Sequence, residues 1–208
     1  MATDRAPLTR ERIAQEALAL VDADGLEGLT MRRLAGRLGV EAMSLYHHVD
    51  GKPDLLVAVA DAVLSEIGGS DAEDWQARIT DVFGQFRSAC LAHPGAVPLV
   101  VATGFTTPSA LAPIDTILGA LEQAGMDETG RVLRFRLLLS FALGAISCEL
   151  ADAAAAPTDT DPHEGVDLSR LPHLVAVAER LIECDPAADF DEGLRQLLNA
   201  PIELPAAR

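Results

Sequence analysis

Aromatic residues are scarce in this chain, 4% of 208 residues with one Trp and one Tyr. Alternating runs of Val, Ile, Thr and Tyr are scarce too, which argues against sheet. Cysteine is also sparse: Cys90, Cys148 and Cys184 are odd in number and widely separated, with no CxxC spacing. That pattern excludes a disulfide framework or a cysteine zinc site and suits a reducing cytoplasm. The longest uncharged apolar run, Leu137 to Cys148, falls short of the roughly 20 residues that cross a bilayer. Charges at Asp4, Arg5, Arg10, Glu11 and Arg12 interrupt any leader-peptide core. A soluble cytoplasmic protein without a membrane partner is expected.

Positive charge is the other shortage. The chain has 16 Lys and Arg against 32 Asp and Glu, a net charge of −16, and an acidic surface is repelled by nucleic-acid phosphates. The distribution changes that conclusion. Residues 1–56 hold Arg5, Arg10, Arg12, Arg32, Arg33, Arg37 and Lys52 against nine acids. Within Gly28 to Lys52 four bases face only Glu41 and Asp50. One small region near the N-terminus could therefore approach DNA while the acidic body stays away.

Ala and Leu dominate a hydrophobic content of 49%, enough for a sizeable core, and the fold class read from them is all-α. Ile13, Ala17, Leu20 and Val21 share one face of a helix predicted from Thr9 to Asp24 and stopped by Gly25. Thr30 caps a second, whose apolar face is Met31, Leu34, Ala35 and Leu38 and whose end is Gly39. A short third spans Glu41 to Tyr46. A fourth runs from Lys52 to Ile67, with Pro53 in its first turn. Further helices are predicted from Trp75 to Ala92, Ile114 to Ala124, Glu128 to Ala156, Leu171 to Glu183 and Phe190 to Asn199. Loops and short helical pieces are expected over Pro98 to Pro113, and an acidic loop over Pro157 to Pro162.

Function concentrates in Met31 to Tyr46. Ala35 stands four residues before Gly39 and Leu45 six after it, the arrangement a helix-turn-helix requires. It needs a small residue where two helices cross, a glycine for the turn, and an apolar anchor beneath the second helix. Ordinary helical hairpins share that spacing, and a head that binds another protein remains open at this point. Adjacent His47 and His48 point in different directions and lack a third ligand at i+4, so neither a metal nor another cofactor is expected. Cys90, His93 and Glu149 form no catalytic motif, and there is no glycine-rich phosphate loop. An enzyme is not expected.

Gly28-Leu29-Thr30-Met31-Arg32, the Gly39 turn and Leu45-Tyr46-His47-His48-Val49-Asp50-Gly51-Lys52-Pro53-Asp54-Leu55 resemble the signature of the TetR family. Trp75-Gln76, Phe86-Arg87, His93-Pro94-Gly95-Ala96 and Phe141-Ala142-Leu143-Gly144-Ala145 resemble its tetracycline-repressor branch. The resemblance implies a helix-turn-helix DNA-binding domain over residues 1–68 and a larger helical ligand-binding and dimerisation domain over residues 69–208. It implies a homodimer on a palindromic double-stranded DNA operator, with repression relieved by a small-molecule effector. By position, Thr30, Ser44, Tyr46, His48 and Lys52 would meet phosphates. Base edges would fall to Arg32, Ala42, Met43 and His47. Tetracycline repressors have glutamine at the position of Ala42 and tryptophan at that of His47, so a different operator is implied.

The same resemblance implies an effector pocket drawn from Phe86, Leu99, Thr103, Phe105, Ile117, Leu121, Phe135, Leu138 and Phe141. Tetracycline repressors carry histidine, glutamine and asparagine at the positions of Leu99, Ile117 and Val82. A mostly apolar effector is implied instead, with Thr103, Thr106, Thr107, Arg134 or Ser140 as polar contacts. Val132, Phe135, Leu139, Leu143 and Ile146, with Leu194, Leu197 and Leu198, are expected to face a symmetry mate or an intramolecular core.

Overall fold

The computed structural model describes residues 7–155, 167–183 and 185–201, and those residues contain helices and no strands. The acidic segment 157–162 and Cys184 lie outside the described residues.

Helix α1 (Arg10–Gly28) starts where the Thr9 hydroxyl accepts from the Arg12 N–H at 3.2 Å. Gly25 interrupts it at φ 69°, the left-handed conformation its position after Asp24 predicts. Helix α2 (Met31–Leu38) is capped by Thr30 and ends at Gly39, φ 63°, whose left-handed turn leads into α3 (Ala42–Leu45). Helix α4 (Gly51–Leu64) then leaves the head. Ile13, Ala17 and Leu20 of α1 are buried with Leu34 and Leu38 of α2, Leu45 of α3 and Leu55 and Val59 of α4. Burial of Leu45 alone is worth about 1.5–3 kcal/mol relative to exposure.

The body contains α5 (Trp75–Ala92), a 3₁₀ turn at Pro94–Ala96, α6 (Val97–Ala102), α7 (Pro108–Gln123) and α8 (Glu128–Ala154), and near its end α11 (Pro186–Asn199). Asp74 caps α5 through the Ala77 N–H, and Asp127 caps α8 through the Gly130 N–H. An ion pair from Arg87 of α5 to Glu149 of α8, at 2.6 and 2.9 Å, places the Arg87 guanidinium 5.7 Å above the Phe190 ring of α11.

Two segments differ from expectation. Helix α7 begins at Pro108 instead of Ile114 and carries Pro113 inside it. Pro108 occupies the first helical position, where no N–H is needed. Burial of Pro113 against α5 and α8 side chains offsets the missing bond to the carbonyl one turn earlier. The helix expected over 171–183 is broken into α9 (Pro172–Val175) and α10 (Ala178–Ile182), separated by a turn at Ala176 and Val177. Leu174, Val175, Val177 and Leu181 are exposed there, so no core enforces a continuous helix.

Candidate DNA interface and effector cleft

The head sorts its cations into two groups. Arg33 is drawn back onto α1 by Asp24 at 2.5 Å and by the Gly28 carbonyl at 3.0 Å. Arg37 is drawn back likewise by Glu16 at 3.1 Å. Arg32 and Lys52 make no ion pair or hydrogen bond to any described residue, and both are exposed. Thr30, at the start of α2, and Tyr46 and His47, after α3, are exposed as well, while Met43 is 71% exposed on a four-residue helix. Ala42, Ser44 and His48 are half-buried. All nine expected DNA contacts therefore cluster around α2, α3 and the first turn of α4. Apolar Met43 held in water has no folding rationale and suits a thymine methyl in a major groove.

A second device fixes that surface. Arg10 of α1 reaches across to Asp54 of α4 with two bonds of 2.6 Å and donates to the His48 carbonyl at 3.2 Å. Asp54 also accepts from the Asp50 N–H at 2.8 Å. The Arg10 hydrogen bond and that N–H lower the Asp54 carboxyl to about 2. The turn from α3 into α4 is thus held by a bidentate pair that stays ionised at any physiological pH.

The apolar cleft lies between α4, α5, α7 and α8. Phe86, Phe105, Ile117 and Phe135 line it as expected, joined by Leu64, Ile67, Val82 and Leu139, and its free volume is only about 40 Å³. Phe105 meets Phe86 edge-on, ring centroids 5.8 Å apart, from a left-handed backbone at φ 59°. A phenylalanine held there stores on the order of 1–3 kcal/mol of strain. Nearby Thr107 is buried with its hydroxyl unbonded.

The other expected pocket residues lie elsewhere. Leu121 and Leu138 are fully buried in the core, Leu99 packs half-buried on α6, and the Thr103 hydroxyl donates to the Val100 carbonyl. Phe141 turns to α11, against Phe190 and so close to Gly193 that a Cβ there would meet its ring at 2.1 Å. Arg134 points away from the cleft, donating to the Ala200 carbonyl after α11.

Residues 13–59 match the family model described as bacterial regulatory proteins, tetR family, and residues 68–200 match the tetracyclin repressor-like C-terminal domain. This chain belongs to the TetR family. It is 30% identical to the class C tetracycline repressor protein of Escherichia coli, over 92% of this chain and 89% of that one. It is 33% identical to an HTH-type transcriptional regulator of Saccharopolyspora erythraea, over 68% of this chain and 61% of that one. The Streptomyces coelicolor TetR family protein ActR, crystallised with actinorhodin, superimposes with a TM-score of 0.81 at 26% identity, covering 93% of this chain and 96% of that one. TetR-family proteins are transcriptional regulators and not enzymes. Consistent with that, Cys90 is buried, which pushes its thiol up to about 12, and Glu149 is committed to Arg87.

In this TetR-family chain the head and body meet at a joint built around His93. The His93-Pro94-Gly95 turn after α5 rests on the end of α1, where a Cβ on Gly95 would lie 3.1 Å from Val21 Cγ1 and 3.2 Å from its carbonyl oxygen. Beside it, His93 Nδ1 lies 2.8 Å from Asp22 of α1 and Nε2 lies 2.9 Å from Glu66 beyond α4. Two carboxylates on one ring require protons on both nitrogens. Burial opposes that charge, but the two bonds outweigh it and hold the imidazolium above the ordinary value of 6.5. The stabilisation is fully present below that ordinary value and is lost as pH rises through the elevated folded one. His93→Gln is expected to lose about 1 kcal/mol under acidic conditions, since both acids are partly solvated. In thermal melts the gap between variant and wild type should narrow as the solution becomes alkaline; a gap that widens would refute the charged clasp.

Proposed function

We propose that this protein is a dimeric transcriptional repressor that grips a palindromic operator through residues 1–68 and is released by an apolar ligand entering the body, residues 69–208. The separation of Arg32 and Lys52 from the self-paired Arg33 and Arg37 carries the reading: the fold uses two cations internally and leaves two facing outward. Thr30, Ser44, Tyr46, His48 and Lys52 bind phosphates, and Arg32, Ala42, Met43 and His47 face base edges. A cytoplasmic location follows from the role. The experiment is a salt titration of binding to the DNA flanking its own gene. Lys52→Ala should weaken every sequence alike and lower the slope of log affinity against log salt by about one per head. A change confined to sequence preference would remove Lys52 from the phosphate contacts.

Dimerisation is supported by α8, a helix long and apolar enough to cross a membrane by length and composition, with only 17% of its most apolar stretch buried within the chain. Of the apolar face expected from sequence, Phe135 and Leu139 line the cleft and Ile146 is buried in the core. Leu194 and Leu198 of α11 are likewise internal. The exposed seam of α8 runs instead through Leu137 and then Ser140, Gly144, Ser147 and Cys148, four small residues that let a second helix approach closely. The seam of one α8 packs on that of its partner, covering surface that one chain leaves to water. Sedimentation is expected to give twice the 21.9 kDa of the chain, and Gly144→Phe is expected to return it to that value; a dimer unchanged by Gly144→Phe would move the interface off this seam.

A cleft of about 40 Å³ is far below the roughly 300–1,000 Å³ of ligand sites, so an effector must part Phe86 from Phe105 to enter. That motion passes through residues 103–107 to the start of α7, where the Asp61 carboxylate of α4 accepts from the Ser109 N–H at 2.9 Å. The ligand thereby pulls on the helix whose first turn holds Lys52.

A further inference from the structure

At the opposite end of the body from the His93 joint, Arg134 presents a charge without a counter-ion. It is 2% exposed, on the face of α8 turned toward α11, and forms no ion pair with any described residue. Nη2 donates to the Ala200 carbonyl, whereas the buried Nε has no partner. A cleft of about 360 Å³ opens beside it, walled by Trp75, Met126, Leu198 and Pro201. Asp127 also reaches its wall, but that carboxylate is engaged with the Gly130 N–H at 2.8 Å at the start of α8. Burial alone accounts for the lowering of the Arg134 pKa, with no carboxylate holding it up.

A guanidinium removed from water is strongly unfavourable unless an anion completes it. A chain with twice as many acids as bases nevertheless pairs none of its described acids with Arg134. We infer that the Arg134 cleft is a second ligand site, separate from the Phe86 cleft, and that it takes a small molecule with an apolar body and a carboxylate. The carboxylate accepts from the guanidinium, and Trp75, Met126 and Leu198 cover the apolar part. The planar fork of arginine fits a carboxylate in a way a lysine would not. Entry at this end leaves the Phe86 cleft unobstructed, so the body can hold two ligands at once.

Trp75 is the only tryptophan of the chain, so its fluorescence reports on this cleft directly. The probes are benzoate and benzamide, equal in shape and different in charge. Benzoate should perturb Trp75 emission at a concentration at least about tenfold lower than benzamide, as charge-assisted bonds predict. Arg134→Met should bring that ratio to one and melt no lower than wild type, since it exchanges an uncompensated buried charge for an apolar side chain of similar length. Arg134→Lys, which keeps the charge and loses the fork, should give an intermediate ratio. Equal responses to the two probes in the wild-type protein would overturn the assignment, as would an undiminished benzoate preference in Arg134→Met. A preference seen only in Glu203→Gln would also overturn it, by giving Arg134 to the carboxylate of the chain's own C-terminal segment.

Discussion

Phe86→Ala is expected to melt far below the wild-type protein, by the roughly 3–5 kcal/mol that truncating a core phenylalanine costs, and to recover much of that loss in the presence of toluene. Phe86 is 3% exposed and contacts Phe105 edge-on. Its ring lies against a space of about 40 Å³ bounded only by apolar side chains. Removing the ring joins its volume to that space, and an apolar cavity of this kind stays dry and accepts a small hydrocarbon. Stabilisation by mass action then raises the melting temperature of the variant but not that of the wild type, whose cleft is too small to accept toluene without rearrangement. Operator affinity without ligand should stay within about twofold, because none of the proposed DNA contacts lines the cleft around Phe86. A variant that folds as well as wild type and is still released from the operator by the same effector would place the effector elsewhere.

The head was largely legible in the sequence because its constraints are local. Thr30, Gly39 and Leu45 act through spacing within one motif, and the structure places a cap, a left-handed turn and a buried anchor at those positions. The sequence could not tell Arg32 from Arg33 and Arg37, since their partners Asp24 and Glu16 lie on α1 and the pairing depends on how α1 crosses α2. In the body, Phe86, Phe105, Ile117 and Phe135 converge as expected, whereas Phe141 does not. A helix face at 3.6 periodicity specifies that a residue is inward, not which neighbour it meets. Gly193, one of 16 glycines, decides the direction of Phe141 from 52 positions away by leaving room for its ring. Arg134 failed for the same reason: adjacent to Phe135 in sequence, it is about 100° around the helix and faces α11 instead of α7. The joint was the least visible feature, because His93 reads as part of a helix stop until α1 and the end of α4 bring Asp22 and Glu66 to its two nitrogens.

That joint yields the second large effect, which concerns coupling and not either affinity alone. If ligand and operator compete through α4, each must weaken the other by one common factor, typically five- to 150-fold. Besides Gln85, which accepts from the Gly68 N–H at the boundary itself, two polar links among the described residues connect the body to the head: Asp61 to the Ser109 N–H, and His93 to Asp22 and Glu66. The double variant Asp61→Ala, His93→Gln removes both. None of these residues faces DNA or lines the Phe86 cleft, so operator affinity and effector affinity, each measured without the other partner, are expected to stay near wild type. The factor linking them should fall toward one. Four dissociation constants around the cycle, for operator with and without effector and for effector with and without operator, measure this directly, and the two routes must agree. The competing path is apolar, since Leu64 and Ile67 at the end of α4 line the cleft themselves and a ligand can push on them without any hydrogen bond. Undiminished coupling in the double variant would assign the switch to that direct contact. Loss of coupling in His93→Gln alone under acidic conditions, with little change under alkaline ones, would instead locate it in the charged clasp, because a wild-type ring that has already lost its proton no longer holds both carboxylates.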